Sequence, residues 1–204
     1  MEEANRKKRI TTRMVARVAI FGAITTILYV VPFLQFKLPS IFPSFLEFHF
    51  DEIPAFIASF AYGPTTGIMI LLIRTIIKLP FTSTVCVGEL ADFLYSLAFI
   101  LPAAIYYKKH RNLKGVCIGF SLGFICQIVV SGLCCGLFMI DFYLFLFKGL
   151  TAETLLQSCQ AINPHITDIH FSLVLWGVVP FNALKNMIVI FVTFLTYKSL
   201  GSLI

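Results

Sequence analysis

Charge is scarce in this sequence. Only 13% of its 204 residues are Asp, Glu, Lys or Arg, and 58% are hydrophobic, whereas a soluble domain is about half apolar and about a quarter charged. That balance, with a mean hydropathy of +0.90, excludes an ordinary soluble protein. Strict apolar/polar alternation is missing, which excludes a membrane barrel built of about 10-residue alternating strands. The six cysteines form no C-x-x-C pair and no Cys/His zinc spacing, so neither a redox motif nor a structural zinc is indicated. HExxH, GxSxG and P-loop signatures are absent, and with them the usual hydrolase and nucleotide-binding chemistries. The acids are too scattered to propose a metal pair, and nothing calls for a cofactor. No internal repeat is visible, which counts against an autonomous secondary transporter.

What remains is a series of apolar runs near 20 residues, the length that suits spanning helices. The expected fold is an all-α integral membrane protein of six transmembrane helices, one membrane-embedded unit over residues 1–204 with no room for a large soluble domain. Its location would be a bacterial plasma membrane, crossed several times. The start is polar and basic (Arg6, Lys7, Lys8, Arg9) and passes into a run of spanning length without a small-residue cleavage site, so residues 1–12 read as a cytoplasmic tail before a retained first helix. With N- and C-termini inside, the inner side collects 11 of the 16 Lys and Arg, as the positive-inside rule asks. Lys37 and Lys148 then lie outside, and Arg74, Lys78 and Lys185 within helices. The net charge of +6 gathers at helix ends, where it acts on topology and anionic lipid, not nucleic acid.

The predicted helices run over 13–34, 51–62, 65–79, 88–107, 116–140 and 172–197, with a short one over 151–159. Ala16, Ala19 and Ala23 on the first helix, with Gly22 nearby, permit close helix contact, either within the chain or with a partner protein. The Phe-rich loop over 35–48 is too apolar to be solvated, so it is a lid or an interfacial anchor. Asp51 reads as an N-cap, and Gly63-Pro64 separates two short helices, an arrangement that leaves room for a cavity. Glu89 suits a helix start electrostatically, while Gly88 and its neighbours could present backbone amides to a polar ligand.

Charges in membrane-grade sequence are costly and usually mark function. At outer-membrane depth the sequence places Asp51, Glu52, Lys78, Thr82, Ser83, Thr84, Glu89, Asp92, Asn182, Lys185 and Asn186. The last three share one helix face by their i, i+3, i+4 spacing. Two amides and an ammonium so spaced suit a planar ligand with carbonyl and ring-nitrogen acceptors, and Phe48 and its neighbours would stack on it or cover it. Internal salt bridges, for example Lys78 or Lys185 with Glu89 or Asp92, are the competing account. His165 and His170 read as solvated loop residues.

The segments F-H-F-D-E-I-P-A-F (48–56), Y-G-P-T-T-G-I (62–68), G-E-L-A-D-F-L (88–94), L-P-A-A-I-Y-Y-K-K (101–109) and P-F-N-A-L-K-N (180–186) together resemble the substrate-capture S components of energy-coupling factor (ECF) vitamin transporters, most of all the riboflavin-specific branch. The resemblance implies six helices and an outward-side vitamin site closed by the loop after the first helix. It implies a membrane T component and two cytoplasmic ATPases as partners. Asn182 and Lys185 match positions that contact the flavin ring, Gly88 and Glu89 match the GEL turn near the ligand, and Ala19 and Ala23 match an A-x-x-x-A docking motif. The chain departs from that branch at Asp92, where Asn is usual, and at Arg74 and Lys78. The resemblance implies a capture protein with no enzymatic activity. The alternatives are an S component for another vitamin or small metabolite, an autonomous secondary transporter, or, last, a small lipid-modifying enzyme built on Glu89, Asp92 and the loop histidines.

Overall fold

Glycine and proline punctuate a chain that is otherwise helical. The computed structural model describes residues 11–43, 45–147 and 149–200, with side chains as far as Thr196; most of the basic tail, and Lys148, fall outside the described residues. Helix α1 is Thr12–Val30, α2 Glu52–Tyr62, α3 Pro64–Lys78 and α4 Val87–Lys109. Helix α5 is Leu113–Leu146, α6 is Ala152–Gln160, and α7 runs unbroken through Phe171–Leu173, Val174–Val178 and Val179–Leu200. Among the described residues the one pairing of extended backbone is a bridge between Phe36 and Phe48. Among the described residues five helices (α1, α3 with its following turn, α4, α5 and α7) are long and apolar enough to cross a membrane. The expected sixth, α2, has 11 residues, below the roughly 17 a span requires.

Local chemistry sets the ends. The Thr11 and Asn112 side chains accept from Met14 N and Gly115 N and so cap α1 and α5. Gly63 takes φ 102° between α2 and α3, where Pro64 opens the next helix, the usual division of labour between these residues. Helix α1 stops four residues before the sequence pattern suggested, because Pro32 disfavours the helical region at Val31, which sits at φ −73°, ψ 116°. Only a short 3-10 turn, Pro32–Leu34, follows. At the other extreme α5 continues six residues past Ile140 into the stretch expected to be a connection. Asp51 occupies the N-cap position of α2 in helical backbone geometry but makes no capping bond; its carboxylate is taken by Arg74 and His49.

Packing follows the small residues. Gly119 and Gly123 on α5 lie against the α4 backbone: a Cβ at Gly119 would stand 3.0 Å from Ala103 O, and one at Gly123 2.2 Å from Phe99 O. In lipid, where apolar burial gives little drive, such close approach is what binds helices. An aromatic core of Phe56, Phe60, Phe99 and Phe120, with ring centroids 4.7 to 5.7 Å apart, fills one half of the bundle. Outward-facing side chains such as Ile20, Phe138 and Phe145 are 62%, 66% and 80% exposed, as suits lipid. Because successive helices alternate direction, the C-terminal ends of α1, α3 and α5 meet the N-terminal ends of α2, α4 and α7 at one end of the bundle. That end holds the polar residues.

Candidate functional site

The turn before α4 is strained. Val85 and Cys86 have φ of 53° and 68°, a region a β-branched residue rarely enters. Two hydroxyls hold it. Thr82 Oγ1 accepts from Thr84 N (3.1 Å) and Cys86 N (2.9 Å) and donates to Glu89 Oε2 (2.7 Å). Thr84 Oγ1 accepts from Gly88 N (3.0 Å) and donates to the same oxygen (2.8 Å). Gly88 has to be glycine here, since a Cβ would fall 2.6 Å from Thr84 Oγ1. The G-E-L turn is thus a clamp that fixes the Glu89 carboxylate.

A closed circuit of charges lies beside it. Arg74 Nη2 donates to Asp92 Oδ2 (2.8 Å) and to Ser96 Oγ (2.7 Å). Ser96 donates to Glu52 Oε1 (2.6 Å), Glu52 Oε2 faces Lys185 Nζ (3.6 Å), and Lys185 returns to Asp92 Oδ1 (3.2 Å). Arg74 Nη1 also meets Asp51 Oδ2, and the guanidinium lies 4.5 Å from the Tyr29 ring centre. Arg74, Asp51 and Glu52 are at most 1% exposed; charges so deep persist only when paired. His49 closes the arrangement, its Nδ1 against Asp51 Oδ1 and its Nε2 3.5 Å from Lys185 Nζ and 3.3 Å from Asp92 Oδ1. Burial, with the Lys185 ammonium next, pushes the imidazole pKa down, while Asp92 pulls the other way.

On the α5–α7 side the polar groups are amides. Asn182 Nδ2 donates to Val178 O (2.9 Å), Gln127 Nε2 to Asn182 Oδ1 (2.8 Å), and Asn186 Nδ2 to Gln127 Oε1 (2.7 Å). Helices α5 and α7 each carry a π turn at this level, Cys135–Met139 and Val174–Val178. In α7 the cause is Pro180, which lacks an N–H and crowds the carbonyl of Trp176, so Val179 N bonds to Val174 O instead.

Between these walls is a cavity of about 160 Å³. Of the residues singled out from sequence, Lys78, Ser83, Thr84, Gly88, Glu89, Asp92, Asn182 and Lys185 line it; Phe48, Asp51, Glu52, Thr82 and Asn186 do not. Phe48 packs with Phe42 and Phe181 beneath the loop after α1, pinned by its backbone bonds to Phe36. Asn186 lies behind Asn182 on Gln127. Phe45, Leu46 and Glu47 of that loop bound the cavity, with Tyr29, His49, Tyr95, Met139 and Tyr143 among its walls, none of which the sequence marked individually. Lys78 lies along the wall with no ion pair among the described residues, its ammonium 5.4 Å from the Tyr29 ring centre. Internal salt bridging therefore accounts for Lys185 and Asp92 but not for Lys78 or Glu89. His49, Asp51 and Asp92 bring ligand atoms within 4.8 Å of one another, a convergence that scattered acids did not suggest. Arg74 bonds to both carboxylates, so a guanidinium holds the cation's place. His165 and His170 stay exposed, the former stacked on Trp176.

A sequence model described as "ECF transporter, substrate-specific component" matches residues 13–197. The chain belongs to this family. This S component is 24% identical over 201 residues to the riboflavin transporter RibU of Staphylococcus aureus (strain TCH60), covering 97% of both chains. It is 25% identical over 179 residues to the riboflavin transporter FmnP of Bacillus subtilis (strain 168), covering 86% of each. Its fold matches a solved structure titled "Structure and mechanism of the S component of a bacterial ECF transporter", with a TM-score of 0.69 and 23% identity over 94% of this chain and 96% of the other. The fold is therefore that of an S component, a multi-pass membrane protein.

Proposed function

We propose that this S component captures riboflavin in the cavity between α4 and α7 and carries out no chemistry on it. The observation that carries the reading is the donor and acceptor set on that cavity: Lys185 and Asn182 on one wall, the clamped Glu89 on another, and the Lys78 ammonium, which has no ion pair among the described residues. A heteroaromatic ring system with carbonyl acceptors and a polyhydroxyl chain meets such a lining, and the apolar remainder (Tyr29, Leu46, Tyr95, Met139) suits its faces. Two relatives are themselves riboflavin transporters, which supports the same ligand.

In this reading residues 1–204 act as a single membrane-embedded unit with both termini cytoplasmic, which puts the cavity at the outer surface, and the loop after α1 is its lid. The partners are a membrane T component and two cytoplasmic ATPases. A static binding site cannot both hold and eject a solute without a change of state that something else drives. The test is titration of riboflavin into detergent-purified protein, following flavin fluorescence, with mass spectrometry of whatever copurifies. Quenching with nanomolar affinity is the expected result. Absence of quenching together with a different bound vitamin would keep the capture role and replace the ligand.

A further inference from the structure

We infer that Gln127, which does not line the cavity, is a positioning residue that sets which edge of the Asn182 amide the ligand meets. The inference rests on reading Asn182 as a ligand contact. An amide side chain in a pocket can be turned either way, presenting N–H where it presented C=O. Here one backbone group removes the ambiguity. Val178 O, at the end of the π turn in α7, can only accept, so Asn182 must direct Nδ2 to it. Its Oδ1 then requires a donor, which Gln127 Nε2 supplies at 2.8 Å. That in turn commits Gln127 Oε1 to accept, and Asn186 Nδ2 donates to it at 2.7 Å. Gln127 is 1% exposed and Asn186 0%, so bulk solvent does not compete for either role. The chain ends on Asn186 Oδ1, which is buried and has no hydrogen-bond partner among the described residues; the polarity is set at the other end, by Val178 O. Asn182 thus meets the cavity in one orientation, with one N–H and one lone pair unspent, and a ligand edge of matching polarity is favoured over its reverse.

The test is a double-mutant cycle on riboflavin affinity, measured by fluorescence quenching with Gln127→Met, Asn182→Ala and the pair. Gln127→Met is expected to weaken binding by about 3- to 10-fold, the worth of one neutral hydrogen bond. In the Asn182→Ala background it is expected to change affinity by less than about twofold, since a residue acting through Asn182 has nothing left to act on. Gln127→Leu, which likewise removes the donor to Asn182, carries the same expectation if the Met variant does not fold. Wild-type affinity in Gln127→Met, losses that add independently, or failure of both Gln127 variants to fold would overturn the inference. Wild-type affinity in Asn182→Ala would overturn the parent reading of Asn182, and this inference with it.

Discussion

Arg74 joins three polar groups at that depth: it donates to Asp92 and Ser96 and pairs with Asp51, and without it Asp51 keeps only the His49 imidazole. Removing one member of a buried ion pair leaves an uncompensated charge, a loss of about 3 to 5 kcal/mol. Arg74→Met is expected to destabilise the protein by that order, and Arg74→Met with Asp92→Asn to recover part of it, both read as thermal unfolding midpoints in detergent. Recovery would show that the cost lies in the stranded carboxylate and not in lost packing. His49 gives a second expectation at this scale. Its pKa in the fold is pushed below the ordinary imidazole value by burial and Lys185, against Asp92, while the unfolded chain takes up a proton near the ordinary value of about 6.5. The unfolded state therefore binds more protons between those two values. The stability this residue contributes is present above about pH 6.5 and is lost as pH falls toward the depressed value. Unfolding midpoints recorded from pH 8 to pH 5 should decline over that window, and His49→Gln should flatten the decline. The groups facing the imidazole (Asp51, Asp92, Lys185, Arg74 and the Tyr29 ring) stay in place in that variant.

Helix contacts concentrate on a few glycines, and they differ in how much room they leave. A Cβ at Gly123 would lie 2.2 Å from a backbone oxygen of α4, which cannot move without the helix, whereas one at Gly136 would meet Val174 Cγ2 at 3.5 Å and His170 O at 3.7 Å, ordinary contacts. Gly123→Ala is expected to cost about 1 to 3 kcal/mol by overpacking and Gly136→Ala far less, a contrast that parallel unfolding curves would reveal. The elements themselves were readable from apolar run length, because lipid leaves the backbone few choices but helix. Their ends were readable where Pro or Gly acts locally, as at Gly63-Pro64, and misjudged where a proline acts on its predecessor, as at Val31. The π turn in α7 has a visible cause in Pro180; the one in α5 has none in its own residues and faces Val174 across the helix pair. Lys185, Asn182 and Glu89 stood out as polar groups in membrane-grade sequence. His49 and Gln127 did not, since their roles are fixed by Lys185, 136 residues away, and Asn182, 55 residues away. Asp51 looked like an N-cap because spacing shows the local competitor and hides the distant one, Arg74.

On the scale of the whole molecule, one helix serves two surfaces. Tyr29, at the C-terminal end of α1, borders the cavity, and Val18, Gly22 and Thr25 face the bundle. Ala16, Ala19 and Ala23 are exposed, on a face with Ile20, Ile24 and Ile27 at 62%, 45% and 55% exposure. A small-residue face flanked by larger apolar side chains lets a second helix approach closely, and it stands apart from the cavity walls. Replacing Ala19 or Ala23 by Leu should therefore leave riboflavin binding within about twofold of wild type, as for substitutions that touch no internal contact. On the proposed partnership with a T component and ATPases, and with this face as its docking surface, uptake by cells that also hold those partners should be lost, because the small-residue groove would be filled. Quenching titrations on the purified variants and accumulation of labelled riboflavin by whole cells separate the two effects. Loss of binding together with uptake would mean that this face supports the fold from within; retention of both would leave the docking surface elsewhere on the molecule.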